Sequence, residues 1–232
     1  MSLLSPADVV TLDRNTAHAR LVISEDLRSI RLESSRQDVP DTPERFNTRC
    51  CVLGREMFSA GRHCWEVEGK LKGNSWWAVG VARNSVERLG DIDLSPKGGI
   101  WGLRQWNGKF TAMTSPHTAL TLSPVPRRVC ICVDCTEGLV TFINANSGAE
   151  IFTFPPASFN GEIRPWFWVG TEETQLYLSG SSPQTTILPP LVPTKDPENP
   201  CPPPDPARSP LLPPAGADVP PCPAQGPGPE QD

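Results

Sequence analysis

Up to about residue 180 the apolar positions recur with the short period of strands, not the 3.6-residue period of helices. Residues 19–23 and 29–32 read as a hairpin around the polar link 24–26. Further short apolar or alternating runs follow at 63–67, 77–81, 100–103, 109–113, 129–134, 139–143, 151–154, 163–169 and 176–178. Turn chemistry separates them, at Glu68-Gly69, Lys97-Gly98-Gly99, Asn107-Gly108, Thr136-Glu137-Gly138 and Asn146-Ser147-Gly148. Many short strands punctuated in this way predict an all-β fold, an antiparallel two-sheet β-sandwich. No long amphipathic helix is expected, at most one short helical turn near Pro6 to Asp8. The polar stretch 34–46, with Pro40 and Pro43, reads as a connector between an N-terminal part and the main body.

The pattern stops near residue 180, and composition says why. All sixteen aromatic residues lie at or before Tyr177, whereas 18 of the 28 prolines lie at or after Pro183. A segment without aromatics and rich in proline cannot bury a core, so 181–232 is expected to be a disordered, extended tail, partly polyproline II. Its PxxP matches (Pro200/Pro203, Pro203/Pro206, Pro210/Pro213) are what such proline density produces by chance. The preceding residues suffice for one domain, not two. Of the net charge of −5, the tail carries −4, so the rest is nearly neutral and lacks the basic field of a nucleic-acid binder. No run of 18 apolar residues offers a membrane span, and no apolar signal core opens the chain. A cytoplasmic protein is the expectation.

Eight cysteines raise the question of metal or disulfides. No CxxC pair has a second at zinc-finger distance, and histidines number only three. Cys130 and Cys132 would share one face of a strand, but a tetrahedral site would still lack ligands. Free, buried or half-buried thiols are therefore expected, with no metal and no cofactor. His63 and Cys64 alternate to opposite faces of a strand and form no nucleophile–base dyad, and no hydrolase or phosphate-loop motif occurs, so no enzyme is expected.

Certain residues carry a family resemblance. Leu12-Asp13 and the run 19–26 resemble the PRY segment. Phe46, Val52-Leu53-Gly54, Phe58 and the run 59–67 resemble the start of a SPRY part, and 77–83, Ser85-Val86, Leu94-Ser95-Pro96, Gly99-Ile100-Trp101, Val133-Asp134, Glu137-Gly138, 140–142 and 151–154 continue it in order. Residues 8–180 thus resemble the PRY-SPRY domain of tripartite-motif and butyrophilin proteins, with 8–60 as PRY and connector, 61–180 as SPRY body and 1–7 as a leading segment. Departures are Cys64 where the family has an aromatic, Asp134-Cys135-Thr136 for its Asp-Tyr-Glu, and Leu12-Asp13-Arg14 for its Leu-Asp-Pro. No RING, B-box, coiled coil, immunoglobulin domain or membrane helix accompanies the domain in this sequence.

The resemblance implies a binding module for a protein or peptide, as in ubiquitin-ligase substrate selection or innate-immune recognition, through loops at one edge of the sandwich. It places partner contacts on Asn84, Arg104, Trp106, Trp166 and Phe167. Trp106 precedes a tight Asn-Gly turn and should lie at the rim. Arg104 should point away from the core and either meet an anion or stack on a ring. Trp166 and Trp168 share a face opposite to Phe167, and one of these faces must be core. Trp65, Trp77 and Trp101 are expected in the core; the place of Trp76, facing oppositely to Trp77, is open. An alternative, implied by butyrophilin-like relatives, is a sensor of a phosphorylated small molecule, with Arg83, Arg88 and Arg104 as a basic pocket beside Lys97. A third reading makes the sandwich a scaffold and the proline-rich tail the binding element.

Overall fold

In a computed structural model of the chain, residues 7–70, 72 and 75–179 are described. The expected proline-rich tail, 181–232, lies outside them, as does Pro6.

The thirteen strands are β1 (Leu21–Ile23), β2 (Ser29–Leu32), β3 (Cys51–Leu53), β4 (Arg62–Lys70), β5 (Trp76–Arg83), β6 (Ile100–Trp106), β7 (Lys109–Ala112), β8 (Thr118–Leu120), β9 (Arg128–Asp134), β10 (Leu139–Asn144), β11 (Glu150–Thr153), β12 (Ile163–Val169) and β13 (Gln175–Ser179). They form two antiparallel sheets, one ordered β1-β2-β13-β4-β9-β10-β11 and the other β3-β12-β5-β6-β7-β8. The all-β two-sheet sandwich expected from the sequence is the fold observed. Helical structure among the described residues is one 3₁₀ turn at Pro96–Gly98, while Ala7 and Asp8 are irregular. β3 and β8 escape the sequence pattern because neither alternates, β3 being buried throughout and β8 largely exposed.

Alternation along β4 and β9 sends Trp65, Val67, Val129, Ile131 and Val133 between the sheets, against Trp77, Val79, Val81, Trp101, Leu103 and Phe167 from the other side. Trp65, Trp77 and Trp101 are all in this core, as expected. A second core, not anticipated, lies on the outer face of the six-stranded sheet. There Cys51, Leu53, Ala78, Ala82, Ile100, Trp166 and Trp168 are covered by Phe46 of the connector, Val86 and Ile92 of the β5–β6 loop, and Met113 after β7. As a result all seven residues of β12 are buried. The connector is held in place by Arg45, whose guanidinium donates to the carbonyls of Pro40, Arg14 and Ala17. Arg164, 4% exposed, crosses from β12 to the N-terminal segment: it donates to the carbonyl of Gly54 (2.8 Å) and pairs with Asp13 (2.8 Å).

Room for the outer core comes from glycine. Gly80 lies opposite both Trp166 and Gly102 in the sheet register. A Cβ at Gly102 would stand 2.8 Å from Met113 Sδ and 3.0 Å from the Trp166 ring. The indole therefore rests on a floor without side chains.

The expected reduced thiols need correction at one place. Cys64 and Cys132 are directly opposed in the β4–β9 register, with Cα atoms 4.2 Å apart, and form a disulfide. The register that joins them links residues 68 apart, which spacing along the chain does not reveal. Cys50, Cys51, Cys130 and Cys135 are free.

Two outcomes follow from this packing. Gly102→Ala should destabilise the fold by about 1–3 kcal/mol, the range for overpacking a filled core, read as a lower urea midpoint with an unchanged slope. The second concerns His18, 5% exposed, whose Nδ1 accepts from the Arg20 amide. Burial, helped by nearby Arg36, holds its pKa below the ordinary 6.5. Its folded form is the neutral one, so the stability it contributes is complete above about 6.5 and is lost as pH falls from there towards the depressed folded value. The urea midpoint should fall over that window, and His18→Gln should reduce the fall.

Candidate functional site

The cover over the outer face of the six-stranded sheet stops short of one end, where β5 begins and β6 finishes. Trp76 and Trp106 are paired there, and Arg104 projects from the same face two residues back, opposite Ala78. The Asn107-Gly108 turn, both residues in the left-handed region (φ 47° and 74°), reverses the chain tightly and closes on the Trp106–Lys109 pair. Such a turn holds Trp106 at the rim of the sheet. It is 54% exposed and the one aromatic among the described residues with a largely exposed ring.

Trp76, Arg104 and Trp106 line an open cavity of about 370 Å³. The Trp76 ring lies over Gly170, where a Cβ would collide with it, and meets Trp168 edge-on at 4.3 Å between centroids. Arg49 sits 5.6 Å above the Trp168 ring and pairs with Asp91. Arg104 itself is half-buried, stacks on no ring, and its Nε is screened from water with no hydrogen-bond partner among the described residues. Of the two roles expected for this guanidinium, stacking on a ring is not seen among the described residues. An aromatic wall, an aromatic rim and an unsatisfied cation make a surface suited to an apolar side chain next to a carboxylate or carbonyl. Trp76 had no assigned place from the sequence. Its position follows from strand alternation, since Trp77 is core and its neighbour must face the other way.

The remaining residues expected at the site are elsewhere. Trp166 and Phe167 are 0% and 1% exposed, the first in the outer core and the second between the sheets, so neither offers surface to a partner. The outer core covers the face that the sequence left undecided. Asn84 follows β5 at its far end, eight residues from Trp76, or roughly 25 Å at strand spacing. It is engaged there: its amide donates to the Glu162 carbonyl, and its own carbonyl accepts from Arg88. Arg83, Arg88 and Arg104 do not converge either. Arg83 belongs to the inner face, stacked 5.5 Å from the Trp101 ring and donating to the Phe159 carbonyl, whereas Arg104 is on the outer face. Arg88 donates to the carbonyls of Glu44 and Asn84. These two arginines satisfy backbone groups and leave no clamp for a phosphate.

His63 and Cys64 diverge as expected: His63 stacks on Phe58 at 3.9 Å and contacts Asp8, while Cys64 is in the disulfide. Burial raises the Cys130 thiol to about 11 and pushes the Cys51 and Cys135 thiols up as well. Protonated thiols of this kind are poor nucleophiles.

Residues 10–58 match the model of the SPRY-associated domain (PRY), and residues 62–180 match that of the SPRY domain. Butyrophilin subfamily 2 member A2 of Mus musculus is 44% identical over 177 residues, 76% of this chain and 34% of that protein. Zinc finger protein RFP of Homo sapiens is 42% identical over 183 residues, 78% of this chain and 34% of that protein. The chain thus spans about a third of the length of these relatives. Among solved structures, stonustoxin superposes with a TM-score of 0.65 at 26% identity, over 75% of this chain and 29% of that one. The TRIM65 PSpry domain superposes with a TM-score of 0.63 at 24% identity, over 75% of this chain and 90% of that one, a likeness of fold.

The division between structural and free arginines has a direct readout. Arg83→Met should lower stability by about 1–3 kcal/mol, because the Phe159 carbonyl loses its donor. Arg104→Met should leave stability within about 0.5 kcal/mol. Paired urea titrations compare the two.

Proposed function

The chain belongs to the SPRY-domain family, in the PRY-SPRY form carried by tripartite-motif and butyrophilin proteins, and from that premise we propose that it binds a protein or peptide partner at the open end of its six-stranded sheet. Trp106 is the anchor, Trp76 the wall against which an apolar side chain packs, and Arg104 the donor to an adjacent carboxylate or carbonyl. The observation that carries this reading is the exposure of Trp106 beside a half-buried guanidinium with an unused donor. Aromatic and arginine side chains of this sort dominate interface energetics, because they bury large area at low entropic cost. Binding needs no chemical step: the rigid sandwich presents a preformed surface, and the partner supplies the complementary side chains.

Ubiquitin-ligase substrate selection and innate-immune recognition are the settings in which such a module would serve. The name of zinc finger protein RFP and the butyrophilin names fix neither for this chain. The phosphate-sensor alternative has no support in the placement of Arg83, Arg88 and Arg104.

The test is selection of binders from a displayed peptide library against the full chain, followed by affinity measurement for variants. Selected peptides should carry an apolar residue near an acidic one. Trp106→Ala should weaken them by about 2 kcal/mol or more, and Arg104→Glu should weaken them further for acidic members of the set. Peptides that bind Trp106→Ala and the wild type equally would remove this surface from consideration. Loss of binding only on deletion of 183–232 would assign it to the tail.

A further inference from the structure

The outer face of the seven-stranded sheet carries a cluster that the binding function does not use. Cys64 of β4 and Cys132 of β9 are opposed in register, and Cys130 occupies the same face of β9 two residues away. The three Sγ atoms all lie within 4.8 Å of one another, and those of Cys130 and Cys132 are 3.6 Å apart. All three side chains are half-buried, so the cluster is reached from solvent but partly shielded by its sheet neighbours. Three thiolates bound to one ion at about 2.3 Å stand roughly 3.8 Å from each other, close to the 3.6 Å between Cys130 and Cys132 and within the 4.8 Å span of the cluster. Thiolate ligands select soft, closed-shell cations.

We propose that the dithiol form of this cluster binds one thiophilic cation, Zn(II) or Cu(I), through Cys64, Cys130 and Cys132, and that the Cys64–Cys132 disulfide is the closed form of the same site. The two forms exclude each other. With the disulfide in place two of the three ligands are bonded to each other, and Cys130 alone cannot hold a metal. Reduction by a dithiol transfers two electrons and two protons to the Cys64–Cys132 bond, leaving two thiols while the reductant becomes a disulfide. Entry of the metal then displaces the three thiol protons to solvent. Three thiolates leave a fourth tetrahedral position for water on Zn(II), whereas Cu(I) is satisfied by the trigonal set. Glu66, opposite Cys130 in the register and 3.5 Å from Arg128, borders the site and shapes its charge. Spacing along the chain shows only Cys130 and Cys132. The third ligand arrives 68 residues earlier, by strand pairing.

The experiment titrates Cd(II), a spectroscopic stand-in for Zn(II), into the full chain after dithiol reduction and removal of the reductant without exposure to air. A sulfur-to-metal charge-transfer band saturating at one equivalent is the expected result. The oxidised chain should show no such band. Cys130→Ser leaves the disulfide partners intact and should weaken binding by roughly 100-fold or more, beyond the loss that an outer-shell change produces. Cys135→Ser, outside the cluster, should bind as the wild type does, and far-ultraviolet circular dichroism confirms that both variants are folded. Equal saturation by the reduced and oxidised chains, or by Cys130→Ser and wild type, would overturn the proposal. So would absence of a band in the reduced wild type.

Discussion

The six-stranded sheet is apolar on both faces, and the rest of the domain is arranged around that constraint. A sheet in a sandwich ordinarily needs cover on one side only, with polar side chains on the other. Here Trp166, Trp168, Cys51 and Leu53 occupy the side that would otherwise meet water. The chain commits the connector and the β5–β6 loop to covering them. This accounts for features that look unrelated in the sequence. Phe46 is fully buried although it lies in a polar stretch, Arg45 ties that stretch to three backbone carbonyls, and Gly102 leaves space for one indole. The surface proposed for a partner is the part of the same apolar face that the cover does not reach.

Arginines, two of them buried and two half-buried, hold this arrangement together. Arg164 reaches from near the start of β12 to Asp13 and to the Gly54 carbonyl, so residues matched as the PRY part and the SPRY part share an ion pair between a buried guanidinium and a half-buried carboxylate. A charge this deep is tolerable only while its partners remain, which makes the two parts interdependent in folding. Arg45, Arg83 and Arg88 serve similarly by satisfying carbonyls of irregular segments. Arg104 is not among them: like Arg28 and Arg49, it has a buried Nε with no hydrogen-bond partner among the described residues. What sets Arg104 apart is its place beside the exposed ring of Trp106.

The fold was largely legible in the sequence because strand period and turn chemistry agree along its length. The hairpin at 19–32, the long strands β4, β5, β9 and β12, and the Asn107-Gly108 turn all follow from local pattern. What was not legible depends on register and on cover. Whether Trp166 or Phe167 faces solvent cannot be read from alternation when both faces turn out to be buried. Arg83 and Arg104 look like members of one loop cluster until pairing sets them on opposite faces of the sheet. The union of Cys64 with Cys132 is likewise a fact of strand pairing. Trp76 is the instructive intermediate, since its direction was readable from Trp77 but not its partnership with Trp106 and Arg104.

The outermost strands of both sheets are short: β1, β3 and β8 have three residues each and β11 has four. Edges of that length expose few backbone donors and acceptors, so another chain gains little by joining either sheet as an extra strand. Edges of this kind favour recognition through side chains, as proposed for Trp106 and Arg104, over main-chain pairing. The contacts proposed at 104 and 106 are made by side chains, so exchanging them leaves every ladder hydrogen bond as it is. A scaffold with that separation can diversify its ligands at little risk to its own folding.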